Sequence, residues 1–324
     1  LLFHRFKVLG KLADLEQSVE LIDERVKVAP DDLAARRARV SILAGVHRFK
    51  AAQSDFDFLM DKGAVPEKDT LAIQLALAVG DYDKVDSELL QADRPVDDFD
   101  LSVLRGNLAM LNGRLDTASI QFFRAQQMYQ GSNPYPLAWL HTQQGIALLR
   151  AGDCTQARRF FDAAVQRLPG YYLAAEHLAE CEVADGDLDG ARARYHAVIE
   201  QTGQPEFLGA LSNLERLAGN DDLADQLADH AEAGWNALLA RLPGTFDDHA
   251  VEFFLEHEQT DRAHTIAQSI LARRNDVLSL ALHVRTALAN DLQAEACQSM
   301  AAIQKTGLTP LELDELKAID QDCG

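Results

Sequence analysis

Aromatic residues are scarce in this chain, 7% of 324 residues, and that argues against a β-sandwich or barrel, whose strands draw on aromatic and β-branched side chains. Prolines number nine, and none has to fall inside a helix, where it would cost about 3 kcal/mol. Long apolar runs are missing. The longest, 71–79, is far short of the roughly 18 residues that cross a bilayer, so no membrane insertion of this segment is expected. Basic residues are the minority, 31 against 51 acidic ones, for a net charge of −20. Such a surface repels phosphate backbones and anionic headgroups, so no nucleic acid partner is expected. The basic clusters are short (Arg36, Arg37 and Arg39; Arg273 and Arg274) and no aromatic stripe accompanies them. GxSxG, GxxxxGK, GxGxxG and CxxC motifs are also missing. The chain is therefore not expected to be an enzyme, and no catalytic residue, cofactor or metal is assigned.

What the chain does have is a period. Glycines stand at Gly10, Gly45, Gly80, Gly113, Gly152, Gly186 and Gly219, and the prolines interleave with them. Two breakers per repeat cut the chain into helices of about a dozen residues, a helix pair repeated along the sequence. Seven residues before each glycine the side chain is usually small: Ala38, Gly106, Gly145, Ala179 and Ser212, with Ile73 the exception. Five after it come Val85, Ala118, Ala157, Ala191 and Ala224; nine after, Leu89, Phe122, Phe161 and Tyr195; twelve after, Ala92, Ala125, Ala164, Val198 and Ala231. Small residues let two helices approach, and the large one fills the space beside them. Asp81, Asp153, Asp187 and Asn220 follow the glycine as N-caps.

These residues resemble the tetratricopeptide repeat family, whose units run to about 34 residues. The clearest copies are 104–126, 143–169 and 177–200. The resemblance implies an all-α, right-handed α-solenoid of tetratricopeptide-like helix-turn-helix repeats with a C-terminal capping helix. The expected organisation is a partial repeat at 1–30, six repeats at 31–242, two degenerate repeats at 243–308 that lack the turn glycine, and a capping helix and tail at 309–324, opened by Thr309-Pro310. Coupling in such an array is expected between neighbours only, so that stability falls in steps as terminal repeats are removed.

The family's concave face, lined by the first helices, implies a scaffold or adaptor that holds a protein or peptide partner. Six residues before each turn glycine stand Arg39, Gln74, Asn107, Ile146, Glu180 and Asn213. With flanking positions, the partner-binding residues expected are Arg36, Arg39, Gln74, Asn107, Trp139, Thr142, Gln143, Glu176, His177, Glu180 and Asn213, positive at the arginines and negative at the glutamates. Relatives that clamp a terminal carboxylate place a lysine four residues before an asparagine; Val103 stands there before Asn107, so such a clamp is not expected.

Three polar constellations have plainer readings. Asp185, Asp187 and Asp189 begin like a calcium loop, but His196 stands where the closing glutamate belongs. His257, Glu258 and Asp261 resemble a zinc helix with its last ligand replaced, on what is otherwise an ordinary amphipathic segment. His177 with Glu180, and His249 with Glu252, are acid–base pairs of a kind that chance supplies among ten histidines.

The four cysteines are spaced 27 apart (Cys154 and Cys181) and 26 apart (Cys297 and Cys323). Either they are idle thiols, as in a cytosolic protein, or they form two disulfides, Cys154–Cys181 and Cys297–Cys323, in an oxidising compartment such as a periplasm. The bridged alternative favours an extracytoplasmic site. The chain opens Leu1-Leu2-Phe3 without a methionine, which leaves room for a leader or anchor before it. A second functional reading follows: a structural or assembly module of a bacterial envelope complex.

Overall fold

The computed structural model describes residues 1–64, 70–91, 98–313 and Cys323. Among the described residues there are eighteen α-helices and no strand. In chain order the helices form nine successive pairs: α1 (Leu2–Leu9) and α2 (Leu12–Val28); α3 (Leu33–Gly45) and α4 (Phe49–Asp61); α5 (Thr70–Val79) and α6 (Tyr82–Gln91); α7 (Phe99–Leu111) and α8 (Leu115–Met128); α9 (Tyr135–Arg150) and α10 (Cys154–Arg167); α11 (Tyr172–Ala184) and α12 (Leu188–Thr202); α13 (Pro205–Leu217) and α14 (Asp221–Arg241); α15 (Asp247–Glu256) and α16 (Thr260–Leu271); α17 (Val277–Ala289) and α18 (Gln293–Thr306). The fold is an α-solenoid. Of the expected capping helix, a 3-10 turn at Leu311–Leu313 is seen; residues 314–322, with Ala92 and the segments around Pro66 and Pro95, lie outside the described residues.

The helices pack into two compact units. Unit 1 is Leu1–Glu20, Asp97–Gly106 and Leu115–Arg241; unit 2 is Leu21–Val96, Asn107–Arg114 and Leu242–Gly324. In unit 1 the repeat register is kept. Ala118, Phe122 and Ala125, then Ala157, Phe161 and Ala164, are fully buried. A Cβ on Gly106 would overlap the Phe122 ring, and one on Gly145 the Phe161 ring. The aromatic ring thus lies flat against bare backbone, which sets how closely the two helices of a pair approach. Between the two helices of a pair, Gly152, Gly186 and Gly219 adopt left-handed φ near 80°, a conformation that costs glycine nothing and other residues about 1–2 kcal/mol. Asp153 and Asp187 then cap α10 and α12, accepting from the backbone N–H of Gln156 (2.9 Å) and Gly190 (3.0 Å). Asn220 instead donates to the Glu215 carboxylate at 2.6 Å.

Unit 2 corrects the register at three turns. The left-handed residue of the second pair is His47 (φ 57°), two positions beyond Gly45; in the eighth and ninth pairs it is Glu258 (φ 59°) and Asp291 (φ 58°). Counted from these residues the spacing reappears. Around His47 it gives Val40, Ala52, Phe56 and Leu59; around Glu258, Val251, Ala263, Ala267 and Ile270; around Asp291, Val284, Ala296, Met300 and Ile303, all buried. Ala38, counted from Gly45, is exposed. The turn conformation and the buried set define the repeat, and glycine is only its commonest occupant.

The expectation of neighbour-only coupling is also corrected. In unit 1 the Gln204 side chain donates to the Gly10 carbonyl at 2.8 Å, and Gln201 to that of Leu9 at 3.0 Å. In unit 2 the His47 ring meets the Gly244 carbonyl (3.1 Å), the Asn275 N–H donates to Val79 (3.3 Å), the Val277 N–H to the Tyr82 hydroxyl (2.8 Å), and the Thr309 N–H to Asn112 (2.8 Å). Each contact joins the turn region of one pair to the loop that follows the fifth pair after it. The sequence separations stay between 192 and 199 residues. Loop backbone that water would otherwise satisfy is bonded to distant chain, so coupling reaches beyond the adjacent repeat.

Candidate functional site

In unit 1 the first helices α9, α11 and α13 carry seven of the residues expected at a partner. Trp139 is half-buried, its ring edge-on to Phe122 with centroids 6.1 Å apart, and Gln143 is half-buried one turn on. Thr142 departs from expectation. It is fully buried and its hydroxyl donates to the Ala138 carbonyl at 3.0 Å, because its side of α9 faces the packed interior. Asn213 on α13 is exposed.

Glu176, His177 and Glu180 on α11 are brought together. His177 Nδ1 stands 2.8 Å from Glu180 and 3.1 Å from Glu176, and the ring stacks on Phe161 at 5.2 Å. Burial pulls the imidazole down, but the carboxylates of Glu176, Glu180 and Glu206 outweigh it and hold His177 at about 9. Burial pushes Glu176 well above the usual carboxylate range, against the pull of His177. Burial also raises Glu180, yet the hydrogen bond from His177 prevails and leaves it low. The three groups form one hydrogen-bonded cluster, open to solvent mainly at Glu180.

In unit 2 Arg36 and Arg39 on α3 both bind Asp55, a fully buried residue of α4 in the same pair, each at 2.5 Å. Arg36 further donates to the Pro30 carbonyl at 2.6 Å and lies over the Phe58 ring. Both guanidiniums are drawn to this one buried acid, which leaves the Arg36 side chain 16% and the Arg39 side chain 21% exposed. Counted from His47, the row position on α3 belongs to exposed Ser41. Gln74 on α5 is exposed and Asn107 on α7 half-buried.

Sequence reasoning missed a cavity of about 260 Å³ between α15 and α17, lined by Asp248, His249, Glu252, Arg274, Asp276, Arg285 and Glu312, among others. Glu252 and Arg285 are the row positions counted from Glu258 and Asp291, and they pair at 2.5 Å. The left-handed turns were the missing signal, since a count by glycine ends the row at Asn213. A second cluster missed is His264, His283 and Glu295 on α16, α17 and α18, whose ligand-type atoms lie within 4.8 Å of one another. Burial and the neighbouring His264 lower the proton affinity of His283, against Glu295.

The calcium-like loop is already occupied by its own contacts: Asp185 pairs with Arg158, Asp187 caps α12, and Asp189 pairs with Arg192. His257 bonds the Phe253 carbonyl (2.8 Å) and stacks on that ring. Cys297 and Cys323 are bridged, with Cα atoms 5.4 Å apart. The expected Cys154–Cys181 bridge is not formed in this structure: both are free thiols, Cys181 buried. They are hydrogen-bonded neighbours, and burial together with Cys154 raises Cys181 to about 12.

Paired helices locked by recurring small-on-aromatic contacts define a helical repeat scaffold, a class built for protein–protein interaction. The family model described as "Tetratricopeptide repeat" matches residues 148–214 of the chain. Human IFIT1, solved as a dimer with PPP-AAAA, has the same fold, with a TM-score of 0.51 at 14% identity, covering 92% of this chain and 80% of its own. PilW, titled a type IV pilus biogenesis factor, is 16% identical over 69% of this chain and 87% of its own, with a TM-score of 0.39. YrrB, titled a TPR protein with an unusual peptide-binding site, is 16% identical over 68% and 95%, with a TM-score of 0.37. No curated protein matches the chain. No helix among the described residues is long and apolar enough to cross a membrane.

Proposed function

We propose that the chain is a non-catalytic adaptor that holds an extended protein segment against the first helices of unit 1. The observation that supports this reading is the half-open polar cluster on α11, between the half-buried Trp139 and Gln143 of α9 and the exposed Asn213 of α13. Trp139 is the anchor, since a large aromatic side chain carries much of the energy at an interface. Gln143 and Asn213 bond the partner's backbone, and Glu180 orients it. Glu180, the most open member of the cluster, favours a weakly basic segment. Gln74, Asn107 and the Glu252–Arg285 row position are the corresponding contacts proposed for unit 2.

A second reading, the soluble part of an envelope assembly, is favoured by one observation, the Cys297–Cys323 bridge, because disulfides persist in oxidising compartments.

The test is selection of binders from a displayed peptide library, followed by affinities for variants. Trp139→Ala should weaken binding by about 2 kcal/mol, while Arg124→Glu, an exposed change on second helix α8, should leave it unchanged. Equal loss in both variants, or no loss with Trp139→Ala, rejects the α9–α13 surface.

A further inference from the structure

We propose that His264, His283 and Glu295 form a zinc site that ties the last two helix pairs of unit 2 together. The three residues come from successive helices, and their inner atoms converge. Glu295 Oε2 is 3.3 Å from His264 Nε2 and 3.5 Å from His283 Nε2. Four ligands held about 2.0–2.1 Å from a tetrahedral zinc stand about 3.3–3.4 Å apart, so these separations are already those of two tetrahedron edges.

The outer atoms of both rings are fixed by hydroxyls. His264 Nδ1 is 3.2 Å from Thr286 Oγ1, and His283 Nδ1 is 3.0 Å from Ser299 Oγ. Thr286 Oγ1 donates its own proton to the His283 carbonyl at 3.0 Å. It must therefore accept from His264 Nδ1–H, which leaves the lone pair of His264 on the inward Nε2. An imidazole oriented through its far nitrogen is the usual support of a metal-binding histidine. The Gln268 amide gives a second, independent indication. Its NH₂ lies 3.0 Å from His264 Nε2 and 3.2 Å from Glu295 Oε2, donating to both. An exposed donor group thus sits where a cation would satisfy the same two acceptors.

Two imidazoles and one carboxylate are a zinc donor set, with the fourth position left to water or an incoming ligand. Both histidines are buried and Glu295 is partly open, so the ion has a way in. Bound there, it would crosslink α16, α17 and α18.

The experiment uses the whole chain, dialysed against chelator and titrated with Zn²⁺ in competition with a chromophoric chelator. One equivalent should bind and raise the melting temperature, and Co²⁺ should give the strong visible absorption of a tetrahedral site. Glu295→Gln, which keeps shape at a partly exposed position, should lower affinity at least tenfold with unchanged circular dichroism. Thr286→Val, which removes only the outer support of His264, should lower it about ten- to a hundredfold. His177→Gln combined with Cys181→Ala, which disables the α11 cluster and the buried thiol of unit 1, should bind zinc as the parent does. No uptake by the parent, unchanged affinity in Glu295→Gln, or loss in the His177/Cys181 variant would each overturn the proposal.

Discussion

The turns of unit 1 and unit 2 solve one problem with different residues. Unit 1 gives the left-handed position to Gly10, Gly152, Gly186 and Gly219; unit 2 gives it to Gly80 and Gly113 but also to His47, Glu258 and Asp291. Around Gly152 and Gly186 in unit 1, and around His47, Glu258 and Asp291 in unit 2, the buried positions recur at the same spacing. A repeat of this kind is held by its packed interior, and the packing over-determines the backbone strongly enough to force an unfavourable φ on a side chain that resists it.

That comparison can be broken or sharpened by substitution. The largest effect is expected in the core of unit 1. Gly145→Leu must displace the fully buried Phe161 ring and should cost about 3 kcal/mol or more, read as a fall in denaturation midpoint; an unchanged midpoint would show that the small-on-aromatic contact does not hold the pair. A smaller loss is expected at the turns themselves. Gly152→Ala meets no neighbouring atom, so its cost is conformational alone, about 1 kcal/mol. The converse changes in unit 2, Glu258→Gly and Asp291→Gly, should stabilise by about 0.5–1 kcal/mol once relief of strain is set against the entropy of glycine. His47→Gly should gain less, because it also loses the bond to the Gly244 carbonyl. Loss of stability in Glu258→Gly and Asp291→Gly would mean that those side chains support their turns.

Charge offers a further test in unit 1. His177 is raised above its unfolded value, so its contribution is full below about 6.5 and is lost as pH rises through about 9. Thermal melts between pH 6 and pH 9.5 should show stability falling across that window, and His177→Gln should flatten the fall. The smallest measurable difference is chemical: thiol titration of unfolded, unreduced protein should find two free thiols, Cys154 and Cys181. A count of four would remove the bridge and the extracytoplasmic argument.

The helix pairs and most of their core were legible in the sequence because small and aromatic residues recur at fixed distances from a glycine, as Gly145 and Phe161 show. The register of α3 was not, because Gly45 lies two residues from the turn and Arg39 was counted from it. The row beyond Asn213 was missed for the same reason, Glu258 and Asp291 being unremarkable in composition. The α11 cluster was visible as an i, i+3 histidine–glutamate pair. The His264, His283 and Glu295 cluster was not, since it takes one residue from each of three helices, and only packing sets their distances.

The contacts that recur at separations of 192–199 residues have a consequence for how the chain is made. During synthesis the turn regions of the first four pairs emerge long before the loops they bond. At about 5–20 residues per second, some 10–40 seconds pass before each partner loop leaves the ribosome. Through that interval the early helices can form their pairs locally, but their turn backbones face water. Closing contacts over so long a stretch of chain is slow by topology. The nascent chain should therefore gain helix early and protease resistance late, in steps that begin once Gln204 has emerged and end with Thr309.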